Sequence, residues 1–392
     1  MSALVEQGFC KVRILRVVHR MYPPKIGGLS QYAHSLSVAQ ARAGHQVTVL
    51  TTLEGSYPEH EFRDGYEIYR HRALAWPWEN PITPGVLGEL LSRSDGSYDI
   101  IDAHSHLMFT TNLAAFKRHL SDNPLIIINH GFRVKRRVSL DIAQDIYLSS
   151  LGRWTLRAAD YVVSLTESER SRVVSAGVPS EKAVVIPNGV DTQIFRPQAS
   201  EQIPHSVIWV GRYVAEKGLS HLLEAAKIVT REFPDAKFFL IGYGEERSSL
   251  LVLRRRLNLE ENVIFVSARS QEDIVQLLNE CTVFALPSLS EGFPLAVLEA
   301  MSCAKPVVAT SGIGLEEILG EAGVYAHAGD SRELAKAIRS LLINEGVARR
   351  LGELSRQRVT KHFEWGNTVS AVNELFERAI RKRDILQRNK LC

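Results

Sequence analysis

Short apolar runs bounded by glycine, proline or polar residues alternate with helical patterns along this chain, and the alternation begins twice. In the first half such runs occupy residues 11–18, 46–52, 67–73, 99–104, 125–129, 161–165 and 184–186. In the second half they occupy residues 207–210, 237–241, 263–266, 283–286 and 307–310. A short, nearly continuous run of aliphatic and β-branched residues is the pattern of a strand buried on both faces. The stretches between them read as helices, among them residues 29–43 closed by Gly44, 140–159, 219–233 and 271–281. Another begins at Thr166, where Thr166 and Glu169 suit a capping box. Strand and helix in alternation predict parallel sheets covered by helices. A chain of 392 residues is also too long for one core. The fold class expected is α/β, two doubly wound parallel-sheet units in series rather than a short-period repeat.

Composition narrows the classes of function. Hydrophobic residues make up 45% and charged residues 23%, as in an ordinary globular protein. A net charge of +3 gives no reason to expect a nucleic-acid partner. The four cysteines, Cys10, Cys281, Cys303 and Cys392, lie far apart with no zinc spacing, as reduced thiols of a cytoplasmic protein would. No run approaches the length of a bilayer span, and no signal-peptide core opens the chain, so a cytoplasmic location is expected.

The densest motif is PSLSEGFPLAVLEAMSCAKPVVAT, residues 287–310. A buried strand ends at Pro287, and a polar loop carries Glu291. Gly292, Phe293 and Pro294 lead into a helix through Leu295, with Pro294 suited to the first helical position, and that helix carries Glu299. Such a helix start offers free N–H groups and a positive dipole end to an anion. Acids beside an anion site are poor phosphate ligands but suit the hydroxyls of a sugar attached to that phosphate.

Other motifs share this strand–loop–helix setting. Gly27 and Gly28 precede the first helix, where glycine lets backbone N–H groups approach a diphosphate, and they do not form the Gly-x-Gly-x-x-Gly pattern of nicotinamide sites. Arg212 and Lys217, in GRYVAEKG, follow the first strand of the second half. Arginine offers paired planar donors and lysine a point charge, so the two can clamp a diphosphate. Histidines end two strands of the first half, at His104 and His106 and at His130, the position where open α/β sheets bind ligands. His106 reads as a structural or surface histidine. The basic run 133–137 reads either as a solvated loop or as a site for an anionic acceptor or acidic lipid headgroups.

The pair Glu291-x7-Glu299 within SEGFPLAVLEAM resembles the signature of retaining glycosyltransferase family 4, which has the GT-B architecture. VGR…EKG resembles the family's diphosphate-binding pair, the loop around Gly27 and Gly28 its glycine loop, and His130-Gly131 the position that approaches the donor sugar. IPNGVD…F.P, residues 186–197, resembles its domain junction, and Phe363-Glu364-Trp365 its punctuation before a last helix. The loop 267–270 falls where the family's backbone meets the nucleobase, which brings in Ala268 and Arg269. Ser267 stands where glycine is frequent, and SGIGLEEIL (311–319) lacks the family's usual proline.

The resemblance implies two Rossmann-like domains facing a central cleft. These are an acceptor-side domain over 1–197, a polar linker over 198–204 and a nucleotide-sugar-binding domain over 205–364. A helical crossover back to the first domain follows, over 365–392. It further implies a metal-independent, retaining hexosyltransferase with no cofactor, using a UDP- or GDP-linked sugar as co-substrate. Arg212 and Lys217 would neutralise the leaving diphosphate, Glu299 would hold the ribose, Glu291 the sugar hydroxyls, and His130 would position the sugar. A glycan or lipid-linked acceptor is expected. The loop bearing Trp76 and Trp78, with the basic run 133–137, suggests peripheral contact with an anionic membrane surface. The alternatives are a nucleotide-sugar epimerase of the same architecture and a noncatalytic nucleotide-sugar-binding protein.

Overall fold

The computed structural model describes residues 11–23, 27–77, 80–131, 138–267 and 270–391. Its contacts divide the chain into two compact units, Met1–Pro187 with Thr368–Cys392, and Asn188–Asn367.

The first unit holds an eight-stranded sheet of β1 (Arg13–Val17), β2 (Gln46–Thr52), β3 (His60–Arg63), β4 (Tyr66–His71), β5 (Ile100–His104), β6 (Leu125–Ile128), β7 (Tyr161–Ser164) and β8 (Ala183–Val185). The strands lie in the order β3-β4-β2-β1-β5-β6-β7-β8, parallel throughout except for the hairpin β3–β4. The strands β1 and β5–β7 are buried along almost their whole length, as strands covered on both faces must be. β1 lies between β2 and β5, so the strand order reverses beside it, and the loops after β1 and β5 diverge at that point.

The second unit repeats the design with six strands, β9 (Ser206–Arg212), β10 (Lys237–Tyr243), β11 (Val263–Val266), β12 (Val283–Leu286), β13 (Val307–Ser311) and β14 (Gly323–His327). All are parallel, in the order β11-β10-β9-β12-β13-β14. Here the reversal falls between β9 and β12, where Val207 pairs with Val283 and Ile208 with Phe284. Trp209, Phe238 and Phe284 are fully buried in this core, and each such side chain contributes about 1.5–3 kcal/mol relative to exposure. Tyr213 is buried with them, its hydroxyl donating to the Leu240 carbonyl at 2.7 Å.

Several elements differ from the sequence expectation. The helix expected over 140–159 is two, Val138–Ser149 and Leu151–Ala158, broken at Ser150 (φ −118°, ψ −100°). Tyr147 explains the break: its hydroxyl donates to the His106 carbonyl at 2.7 Å, and its ring lies where a Cβ on Gly152 would come within 2.8 Å. Pro294 is the N-cap of helix Leu295–Ser302, one place outside the helix rather than its first residue. Thr166 caps its helix by accepting from Glu169 N–H, and the Glu169 carboxylate accepts from Leu165 N–H at 3.1 Å. Residues 188–197, which the sequence reading put with the first domain, pack in the second unit. There Val190 N–H donates to the Phe363 carbonyl at 2.8 Å, and Phe195 is part of the core.

Gly218 makes the tightest backbone approach near β9. Its φ is +62°, and a Cβ built there would stand 2.1 Å from the Pro287 carbonyl oxygen. The left-handed region alone costs a residue with a Cβ roughly 1–2 kcal/mol. Gly312, with φ +77° and nothing within 4 Å, carries that cost without the collision. Gly218→Ala should therefore lower the thermal midpoint clearly more than Gly312→Ala. Equal midpoints in calorimetric melts would show that the two loops separate freely.

Candidate functional site

In the second unit the loops after β9 and β12 are bound to each other. Leu289 N–H donates to the Glu216 carbonyl at 2.7 Å, and the Thr310 hydroxyl donates to the Ser288 carbonyl at 2.6 Å. This brings together residues 74 apart in sequence: Lys217 Nζ lies 2.6 Å and 2.8 Å from the two carboxylate oxygens of Glu291. The Ser288 hydroxyl donates to the same carboxylate at 2.5 Å. The Glu291 side chain is 6% exposed and that of Lys217 21%, so the pair sits at the floor of the loops with the lysine uppermost.

Arg212 is the last residue of β9, paired in register with Tyr243, and is exposed. Gly292, Phe293 and Leu295 are half-buried around the start of helix Leu295–Ser302, Pro294 is buried, and no side chain caps that helix end. Phe293 meets Phe363 edge-on, ring centroids 6.0 Å apart. Glu299 lies one turn into the helix, and burial pushes its carboxyl up to about 7. Arg212, Lys217, Glu291 and the start of helix Leu295–Ser302 thus come from the loops at the strand-order reversal, where open α/β sheets bind ligands.

The first unit places its candidates at its own reversal point. Gly27 is the N-cap of helix Gly28–Arg42, and no side chain caps that end either. Gly27 is extended (φ 167°, ψ 156°), and among the described residues a Cβ there would come nearest to the Ser30 hydroxyl, at 3.8 Å. His130 follows β6 and is half-buried. Its Nε2 lies 3.0 Å from Nδ1 of His104, and the Tyr32 ring stands edge-on to it with centroids 4.9 Å apart. Burial, with His104 beside it, lowers His130 well below the ordinary histidine value. His106 is buried with its Nδ1 2.8 Å from Oδ1 of Asn129, and burial brings it down to about 4, as a structural histidine would be.

Behind His130 stand His104, already noted as a strand-end histidine, and two residues that were not singled out from the sequence, Arg16 and Asp102. His104 Nε2 lies 3.4 Å from Oδ2 of Asp102, which also accepts from Arg16 Nε at 2.8 Å, and the side chains of all three are fully buried. One signal was available: Arg16 is flanked by Ile14-Leu15 and Val17-Val18, and Asp102 by Ile100-Ile101 and Ala103. A charge in a buried strand requires an opposite partner.

Ala268, Arg269, Trp78 and the basic run 133–137 lie outside the described residues. Trp76 is exposed beneath the guanidinium of Arg20, 5.3 Å from its ring centre. Among the described residues no helix is long and apolar enough to cross a membrane.

Comparison with known proteins gives the family and the fold. The family model "Glycosyl transferases group 1" matches residues 190–358, and "Glycosyltransferase Family 4" matches residues 26–194. The chain is 27% identical over 399 residues to a glycogen synthase of Mycobacterium tuberculosis, covering 93% of this chain and 94% of that protein. Among solved structures, sucrose-phosphate synthase from Thermosynechococcus elongatus superposes with a TM-score of 0.80 at 22% identity, over 95% of this chain and all of that one. Anabaena Alr3699/HepE in complex with UDP-glucose gives 0.75 at 20% identity, again over 95% of this chain and all of that one. These structures share the GT-B fold.

The raised Glu299 carboxyl has a consequence for stability. Glu299 keeps its proton up to about pH 7 in the folded chain and only up to the ordinary 4.5 once unfolded. The folded chain therefore binds more protons between those values, and stability falls as pH rises across that window. Glu299→Gln cannot ionise and should flatten this slope. Denaturant unfolding from pH 5 to pH 8 checks it, and parallel curves for parent and variant would mean that Glu299 ionises normally.

Proposed function

The chain belongs to the group 1 glycosyl transferases of glycosyltransferase family 4, and from that premise we propose a metal-independent, retaining hexosyl transfer. The donor is a nucleotide-diphosphate sugar and the acceptor a glycan or lipid-linked glycan. The observation that carries the reading is the Lys217–Glu291–Ser288 cluster beside Arg212 at the reversal point of the second sheet.

In this mechanism Arg212 and Lys217 take up the charge that grows on the leaving diphosphate, a preorganised electrostatic term that is usually the largest in catalysis. N–H groups of Leu295 and of Gly28 add to it, and the missing side chain of Gly27 suits the close approach of a phosphate. Glu299 accepts from the ribose hydroxyls and Glu291 from the sugar hydroxyls, while His130 positions the sugar. The bond from the anomeric carbon to the diphosphate oxygen breaks. The acceptor oxygen bonds to that carbon on the same face, and its proton passes to the diphosphate. Ala268 and Arg269 are assigned to the nucleobase loop. UDP-glucose is the first donor to test, because Alr3699/HepE was solved with it. The basic run 133–137 and Trp76 are assigned to a lipid-linked acceptor at a cytoplasmic membrane face.

Labelled UDP- and GDP-sugars, incubated with and without membrane lipid extract, test this reading. Label should move only when acceptor is present. An altered free nucleotide sugar would mark an epimerase, and binding without turnover a noncatalytic binder.

The two glutamates should separate in calorimetry with free UDP. At pH 8, where the raised Glu299 carboxyl is ionised, Glu299→Ala loses hydrogen bonds from the ribose to a charged group, worth about 1.5–3 kcal/mol or roughly ten- to a hundredfold in affinity. Glu291→Ala should bind UDP as tightly as the parent or more tightly, because Lys217 is released from its carboxylate partner, yet it should lose transfer. Equal loss of UDP affinity in both variants would overturn the division of roles.

A further inference from the structure

Asp102 and His104 lie on β5 and Arg16 on β1, adjacent parallel strands with Arg16 directly opposite Asp102 in register. Both charged side chains are fully buried. Each guanidinium nitrogen donates: Nε to Asp102 at 2.8 Å, Nη1 to the Ser37 hydroxyl at 2.6 Å and Nη2 to Gln40 Oε1 at 2.6 Å. Gln40 is held in turn by donating to Asn373 Oδ1 at 2.8 Å. A buried ion pair carries a heavy desolvation cost and is a poor source of stability. Its value here lies in what Asp102 does next, which is to face His104.

We propose that Arg16, Asp102 and His104 act as positioning residues that hold His130 as its Nε2–H tautomer, so that His130 meets the donor sugar through Nδ1 as a hydrogen-bond acceptor. The argument follows from donor and acceptor counting. An ionised carboxylate only accepts, so the His104 nitrogen facing it, Nε2, carries the proton. A neutral imidazole has one N–H, so His104 Nδ1 is then an acceptor. The only neutral tautomer of His130 that can satisfy it, at 3.0 Å and with ring planes within 13°, carries its proton on Nε2. That leaves Nδ1 of His130 with a lone pair.

The groups facing the two rings agree with these protonation states. Burial pushes the Asp102 carboxyl up, but His104 and Arg16 beside it hold it below the usual range, so it is ionised. Burial lowers His104, against the pull of Asp102. Burial, His104 and His19 lower His130, and Asp102 opposes them. Both rings are neutral at pH 7. Tyr32, edge-on to His130 and pushed up by burial, stays protonated.

The acceptor role rests on the reading of His130 as a sugar contact, whereas the tautomer is a property of the empty protein. The full chain, labelled with ¹⁵N-histidine and assigned with His130→Gln, is followed by long-range ¹H–¹⁵N correlation from pH 6 to pH 8. His130 should show a neutral Nε2–H pattern with a ring proton protected from exchange, and no titration. His104→Leu, which removes the acceptor and leaves the Arg16–Asp102 pair intact, should abolish that protection and let both tautomers appear. Where that variant does not fold, the parent spectrum still decides. An Nδ1–H tautomer, a titrating ring, or a protected proton that survives His104→Leu would overturn the relay. Added UDP-glucose should then shift His130 Nδ1 where UDP does not. An unmoved Nδ1 with UDP-glucose bound, as seen by calorimetry, would overturn the acceptor role. Failure of UDP-glucose to bind would count against UDP-glucose as the donor, while the tautomer result alone would still uphold or overturn the relay.

Discussion

The meeting of Gly218 with the Pro287 carbonyl fixes the candidate donor site of the second unit. Two parallel strands on either side of a reversal send their loops outward, and only a residue without a Cβ lets one loop lie against the end of the neighbouring strand. Once the backbones touch, the hydrogen bond from Leu289 to Glu216 follows, and with it the reach of Lys217 to Glu291. The ion pair itself is a small part of the energetics, since the desolvation of a largely buried pair offsets much of its attraction. Its importance is positional. A cation and an acid that would each face different parts of one ligand are stored against each other, and the backbone contact sets where.

The two units answer the same topological constraint with opposite electrostatics. At its reversal point the second unit leaves charge within reach of solvent, at Arg212 and Lys217. The first encloses Arg16 and Asp102 completely behind two neutral rings, so that His104 and His130 offer polar but uncharged groups there. In a low-dielectric interior an ion pair orders its neighbours only if each remaining donor is satisfied. Ser37, Gln40 and the Ala33 carbonyl accept from Arg16, which explains the polar residues on the buried face of helix Gly28–Arg42.

Much of this architecture was legible in the amino-acid order because buried parallel strands leave a strong signature. Val283–Leu286 and Val263–Val266 are strands with the limits their apolar runs suggest, and glycine and proline mark the loops that follow. The elements that escaped notice have weaker patterns. His60–Arg63 is an edge strand of alternating exposure that presents Phe62 to solvent, and the break at Ser150 depends on where Tyr147 reaches across to another segment. The site divided in the same way. Glu291 and Glu299 sit in one compact local motif and Lys217 in another, each readable by itself. Arg16 and Asp102 become a pair only when strands 86 residues apart lie side by side, and no local window contains both. His104 gains its meaning from that pairing.

The last helix carries a consequence for how the molecule is made. Residues from Thr368 onward belong to the first unit, so the second is an insertion within it, and the ribosome finishes the insertion before the unit that surrounds it. Val372, Leu375, Phe376 and Ala379 fill the first unit's packing, and Arg383 donates to the Asp99 carbonyl at 3.0 Å. Until Asn373 is translated, Gln40 lacks the partner that braces it against Arg16. Domains mature as units during synthesis, at about 5–20 residues per second. The nascent chain thus passes through an interval in which the Lys217–Glu291 half is complete while the buried ion pair of the other half waits for its final brace.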